Sequence, residues 1–301
     1  MENASRSLTP SPAFKIVSGA LYRRSEAPYA FDLRVHKLGA HTEAVALPRY
    51  AWHEVDALAP GVADDAAMAA GHVFKDGEWV PHQSSEAELL DKAARNKERA
   101  SRRARTKVRR LCKHLGLTTM LTLTYRENMQ HRERMARDFD VFMKRLRRVC
   151  PGLPYVCVFE RQKRGAWHAH VAVPRVLSVY VVRGSMVKSF DLLRSMWRGV
   201  VGLDNGNVDV SRNKRVGRSS GKLAAYLAKY IGKAFEDNPE GDSYRASGRA
   251  LPVATVIRLE TASLSEAMAH AVDLLRLDIA ASGEFHHAML DCGGYFVSLS
   301  P

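Results

Sequence analysis

After Gly116 the hydrophobic period of this chain switches back and forth between about two and about 3.6 residues, and that alternation restricts the available folds more than any other feature. Leu117-Thr-Thr-Met-Leu-Thr-Leu-Thr-Tyr125 alternates and is rich in β-branched residues, the pattern of a strand. Met135, Phe139, Phe142, Met143 and Leu146 recur at helical spacing and predict an amphipathic helix over 131–149. Pro154–Glu160 and Ala166–Val173 read as two strands, which the polar link Arg161-Gln-Lys-Arg-Gly165 joins as a hairpin. A short helix near 189–199, a strand around Asn207–Val210 and a helix over 219–235 follow. Strand, helix, strand, strand, helix, strand, helix is an α+β order, and a split βαβ arrangement with an antiparallel sheet satisfies it. Residues 250–260, 263–281 and 294–299 are expected to add strand, helix and strand at the sheet edge.

Upstream, residues 86–115 read as one helix, with Ser85 as N-cap and Glu86 and Glu88 in the first turn. Lys92, Arg95, Lys97, Arg99, Arg102, Arg103, Arg105, Lys107, Arg109, Arg110 and Lys113 crowd this helix, opposed nearby only by Asp91 and Glu98. So many charges of one sign repel each other unless an anion compensates them. Arg102, Arg103, Arg105, Lys107, Arg109 and Arg110 are therefore read as contacts to a nucleic-acid backbone. A solvated helix face is the plain alternative. The expected organisation is an N-terminal accessory region over 1–85, the basic helix over 86–117, a core over 118–240 and a C-terminal α/β extension over 241–301 able to complete the sheet. Residues 1–85 suggest only an Ala-rich stretch at 62–70 and a hairpin, His72–Val80, turning at Asp76-Gly77.

The totals agree with a polyanionic partner. The 301 residues carry 46 Lys and Arg against 32 Asp and Glu, a net charge of +14. No run is apolar and long enough to span a bilayer, and Met1-Glu-Asn-Ala-Ser-Arg-Ser lacks a signal core, so nucleic acid in the cytoplasm is expected rather than a membrane. Cys112, Cys150, Cys157 and Cys292 show no C-x-x-C spacing and read as reduced thiols. Gly217-Arg-Ser-Ser-Gly-Lys222-Leu is one residue short of a phosphate loop and ends in Leu, so no nucleotide cofactor is expected.

Strand alternation places His168 and His170 on one face of their strand and Trp167, Ala169 and Val171 on the other. If the hairpin turns about Arg164, Glu160 faces His168 on the same side. Two imidazoles and a carboxylate then converge as ligands for a divalent cation, leaving positions for water and a phosphate oxygen. The alternative is a polar pair on the wet face of a strand. On the last helix, Lys222, Tyr226, Lys229, Tyr230 and Lys233 share an arc of about 100°, while Leu223, Leu227 and Ile231 lie beyond it. That geometry argues against core packing of the tyrosines, leaving base stacking or nucleophilic attack. A phenol of ordinary pKa near 10 needs positive charge to react, which Lys229 and a metal-held phosphate would supply.

The strand Leu121-Thr-Leu-Thr124, the run Glu160-Arg-Gln-Lys-Arg-Gly-Ala-Trp-His168-Ala-His170 and Tyr226-Leu-Ala-Lys229-Tyr230 resemble, in order and spacing, motifs I, II and III of HUH endonucleases. The most similar branch comprises the rolling-circle replication initiators of single-stranded DNA phages and plasmids that carry two tyrosines. The resemblance covers about 118–235. It implies an RRM-like sheet with helices on one face, a Mg²⁺ or Mn²⁺ site, and a sequence-specific nick in single-stranded or extruded origin DNA. It carries His168 and His170 over as metal ligands, with Glu160 as the third, and Tyr226 and Tyr230 as nucleophiles, helped by Lys229. Lys222 and Lys233 are then read as DNA contacts on the tyrosine helix. A host helicase and polymerase are the implied partners, in the cytoplasm of a bacterial host. Rival readings are a relaxase, a single-strand transposase, or a basic DNA-binding regulator without catalysis.

Overall fold

The computed structural model describes residues 13–57, 59, 62–75, 78–162, 164–211, 220–237, 244–247, 250–276 and 284–300. Five strands come first: β1 (Phe14–Val17), β2 (Ala20–Arg24), β3 (Ala30–Leu38), β4 (His41–Arg49) and β5 (Trp52–Val55). Helix α1 (Ala63–Ala69) and the pair β6 (His72–Lys75) and β7 (Glu78–Pro81) lead into the long helix α2 (Glu86–His114). The alternating stretch folds as β8 (Thr119–Tyr125), α3 (Arg132–Val149), β9 (Val156–Arg161), β10 (Trp167–Val173), a small hairpin of β11 (Val179–Val182) and β12 (Ser185–Lys188), α4 (Ser189–Val201), β13 (Gly206–Ser211) and α5 (Ser220–Asp237). The chain ends with β14 (Arg245–Ala246), β15 (Thr255–Leu259), α6 (Leu264–Arg276), β16 (Glu284–Met289) and β17 (Tyr295–Ser300). The expected hairpin turn Asp76-Gly77, residues 277–281 of the expected helix and Gly217 of the near phosphate loop lie outside the described residues.

The central sheet runs β13-β8-β10-β9-β14 with antiparallel pairs throughout. Strands β8 and β9 are therefore parallel to each other, with β10 between them. Alternation gives this sheet two working faces. Leu121, Leu123, Phe159, Trp167, Ala169 and Val171 bury against Met135, Phe139, Phe142, Leu193 and Trp197 of α3 and α4. On the opposite face, Met120, Val156, Val158 and Ala172 lie under Val108, Leu111 and Cys112 of α2 and Leu223, Leu227 and Ile231 of α5. Helices thus cover both faces, not one as the resemblance implied. The apolar stripes of α2 and α5 must also leave water, and the far face offers them a matching apolar half. The two helices cross closely at Gly232, where a Cβ would collide with the Arg105 guanidinium.

A second five-stranded antiparallel sheet, β15-β3-β4-β17-β16, joins the two ends of the chain. Here the structure departs from the expectation that residues 250–299 extend the central sheet. Only Arg245 and Ala246 pair with the β9 edge, whereas β15 pairs with β3 and β17 with β4. The nine-residue strands β3 and β4 provide a longer ladder, and Phe31, Leu33, Ala44 and Ala46 complete one core with Tyr295, Val297, Leu299 and the apolar side of α6. Periodicity marked these elements but carried no information on their partners.

Helix α2 begins as the sequence predicts. The Ser85 hydroxyl accepts from the Glu88 backbone N–H at 3.2 Å, and the Glu88 carboxylate accepts from the Ser85 N–H at 2.8 Å, a complete capping box. Its first three turns are exposed, and it becomes buried only from Ser101 onwards.

Candidate metal centre and tyrosine site

The hairpin register sets the metal face. Strand β9 pairs with β10 so that Glu160 stands opposite His168 and Val158 opposite His170. One carboxylate oxygen of Glu160, Oε2, accepts hydrogen bonds from Nε2 of both His168 and His170, each at 2.9 Å. All three side chains are buried, and their candidate ligand atoms lie within 4.8 Å of one another. Thr122, which pairs with His170 across β8 and β10, places its hydroxyl 3.4 Å from His170 Nδ1, so the other nitrogen, Nε2, faces the carboxylate.

Burial alone would raise the pKa of Glu160, but hydrogen bonds from His168, His170 and Lys233 hold it well below the usual carboxylate range. Burial lowers the pKa of His170, outweighing the hydrogen bond to Glu160, so its imidazole is neutral at neutral pH. A carboxylate and neutral imidazole are the forms that bind a cation, and two nitrogens with one oxygen suit a divalent ion. The residues fit a metal.

The tyrosines lie directly on this triad. The Tyr230 ring stacks on His170, with centroids 4.0 Å apart and planes inclined by 23°. Its hydroxyl donates to that of Tyr226, whose ring meets Tyr230 edge-on at 5.1 Å. Tyr226 is 46% exposed, while Leu223, Ala224, Leu227, Ile231 and Ala234 form the buried side of α5. The tyrosines are therefore on the metal-facing side of the helix and outside the main core. Burial raises the pKa of Tyr230, and the hydrogen bond to Tyr226 and the negative charge of Glu160 raise it further. Without a cation at the triad, Tyr230 is a neutral phenol.

The expected lysines and arginines sort into several environments. Lys229 is exposed and makes no hydrogen bond or ion pair among the described residues. Lys233 instead reaches the centre, with its ammonium 2.7 Å from Glu160 Oε1 and 5.8 Å from the Tyr230 ring centroid. Lys222 pairs with Glu284 of β16 at 2.9 Å. Arg102 pairs with Glu98 on the exposed side of α2, where Arg103 and Lys107 also face solvent. Arg109 and Arg110 turn inward with Lys113 onto Glu43 of the second sheet, which is fully buried. Sequence reasoning missed Glu43 and Thr122. The alternation Leu121-Thr-Leu-Thr124 could have marked Thr122 as a neighbour of the histidines, but no local signal marks Glu43.

A sheet that presents a Glu–His–His triad beneath a tyrosine-bearing helix is thus the defining feature of the molecule. Residues 118–235, which span this sheet from β8 to the tyrosine helix, match a family model described as replication-associated protein of the ORF2 type. That match supports a role in replication initiation and, with it, interaction with DNA. No curated protein and no solved structure shows significant similarity to the chain. Among the described residues no helix is long and apolar enough to cross a membrane.

Proposed function

We propose that this chain nicks and rejoins origin DNA as an HUH-type initiator of rolling-circle replication, with residues 118–240 as the catalytic core. The stack of Tyr230 on His170 carries this reading, because it sets a pair of phenols against candidate metal ligands. Purely structural tyrosines would have no need of that neighbourhood. Glu160, His168 and His170 would hold Mg²⁺ or Mn²⁺. When bound, the ion would supply charge neutralisation for a non-bridging oxygen of the scissile phosphate.

The chain's own groups would do the rest. The phenol oxygen of Tyr226 or Tyr230 attacks phosphorus, and the Oη–P bond forms as the P–O3′ bond breaks. The phenol proton passes to solvent, and the departing 3′ oxygen takes one up. The 5′-phosphotyrosine conserves the phosphodiester energy, so a 3′ hydroxyl can rejoin the strand without ATP. Two phenols one helical turn apart allow one transfer to open the origin and another to close the product circle. Arg102, Arg103 and Lys107, on the exposed side of α2, would hold the DNA backbone. A replicative helicase and polymerase of a bacterial host, acting in its cytoplasm, would complete the machinery.

The decisive experiment incubates the protein with single-stranded DNA of its replicon and Mn²⁺ and looks for a protease-sensitive covalent adduct. Tyr226→Phe and Tyr230→Phe are each expected to retain some adduct formation on a short origin oligonucleotide. The double variant should form none, and each single variant should fail to close unit-length circles. If one single variant loses all cleavage while the other matches wild type in both assays, only one tyrosine is a nucleophile. A chain that binds the DNA but forms no adduct under any divalent ion is a DNA-binding regulator instead.

A further inference from the structure

The Glu160 carboxylate divides its two oxygens. Oε2 lies between the imidazoles of His168 and His170, and Oε1 meets the Lys233 ammonium at 2.7 Å. The torsion that turns a carboxylate about its last bond is soft, so an oxygen aimed at a metal needs its twin held. Lys233 holds the twin. We propose that Lys233, besides any contact with substrate, is a positioning residue of the metal centre: it orients Glu160 towards the metal and locks the tyrosine helix to β9. This inference rests on the metal-dependent reading above.

Helix geometry supports the second half of that role. Lys233 follows Tyr230 by three residues, which places the two side chains about 60° apart around α5 and less than one turn apart along it. The Tyr230–His170 stack and the Lys233–Glu160 pair therefore tie one side of the helix to neighbouring strands, β10 and β9. One contact would leave the helix free to roll, whereas two fix its rotation, and with it the direction of both phenols. The Lys233 side chain is 53% exposed while that of Glu160 is 7% exposed. The lysine can therefore be replaced without emptying a core position, but the carboxylate would lose a cationic partner.

The test separates this role from a DNA-phosphate contact, which the sequence alone suggested. Mn²⁺ is titrated calorimetrically into DNA-free wild type, Lys233→Met and Lys233→Arg, and thermal melting is followed in parallel. Lys233→Met is expected to bind Mn²⁺ about 10- to 100-fold more weakly, in the range of lost outer-sphere partners of metal ligands. Its melting should be little changed, and Lys233→Arg should recover most of the affinity. At saturating Mn²⁺, Lys233→Met should still form adduct more slowly than wild type in a single turnover, because the helix has lost its register. Mn²⁺ affinity within twofold of wild type, together with a shallower salt dependence of oligonucleotide binding, would overturn the proposal and make Lys233 a phosphate contact. Wild-type protein that takes up neither Mn²⁺ nor Mg²⁺ would instead remove the metal-dependent reading itself, and the inference with it.

Discussion

Two buried glutamates, one on each five-stranded sheet, differ in what surrounds them. Glu43 of the second sheet is fully buried and receives Arg109, Arg110 and Lys113 from α2 at 2.9–3.1 Å, so both of its oxygens are engaged by permanent cations. Glu160 of the central sheet meets two imidazoles and one half-exposed lysine. Burial alone would raise both carboxyl pKa values, and in both cases the neighbours reverse the effect. The reversals have different sources. Fixed cations leave Glu43 no room for another ligand, so it acts as a bolt between α2 and the second sheet. Imidazoles can give up a nitrogen proton for a metal, so Glu160 sits in a site that can change its occupant. A buried carboxylate becomes structural or functional according to whether its partners can be exchanged.

The largest effect should come from breaking the bolt. Glu43→Gln leaves three cations facing a neutral amide in a buried position, a loss of about 3–5 kcal/mol when one partner of a buried ion pair is removed. Denaturant unfolding should register that loss, whereas Glu160→Gln should change the midpoint far less and mainly weaken Mn²⁺ uptake. Equal destabilisation by both would erase the distinction between bolt and site.

An intermediate effect should follow pH. His41, at the start of β4, shares a 2.6 Å hydrogen bond through Nε2 with the hydroxyl of Ser220, the first residue of the tyrosine helix. Burial, reinforced by the Lys113 charge and opposed by Glu43, pushes its pKa down from 6.5 to about 4. The folded state therefore favours neutral His41. Its contribution is complete above pH 6.5 and is lost as pH falls from there towards 4. Glu43, also held below its ordinary value of 4.5, loses its contribution only at lower pH. A stability-versus-pH curve should accordingly decline first over the histidine window, and His41→Gln should flatten that first decline. An unchanged curve in His41→Gln would show that the two sheets are not coupled through this hydrogen bond.

The smallest effect on stability, though not on binding, should come from the exposed half of the basic helix. Neutralising Arg102, Arg103 and Lys107 should shift stability by no more than about 0.5 kcal/mol. The log–log salt slope of single-stranded DNA binding should fall by up to about 0.7 for each lost phosphate contact. Arg109→Gln and Arg110→Gln should behave oppositely, lowering stability and barely altering the slope. If all five act alike, α2 is not divided between a DNA-facing half and a bolted half.

Sequence alone determined what depends on local geometry. A period of two places Glu160, His168 and His170 on one strand face, and a period of 3.6 places Tyr226 and Tyr230 away from Leu223, Leu227 and Ile231; both arrangements appear in the structure. The cap at Ser85 is local in the same sense. Lys229 and Lys233 both fall on the tyrosine side of the helical wheel, so periodicity could not tell which one reaches Glu160. Tertiary structure decided that, because the answer depends on how α5 rolls against β9. It also decided that α2 turns Arg109 and Arg110 inward onto a carboxylate more than sixty residues away, and that the two chain ends share one sheet. Covalent geometry repeats along the chain and can be read from it. Pairing between distant segments follows from complementary shape, length and charge, and these exist only once the segments have met.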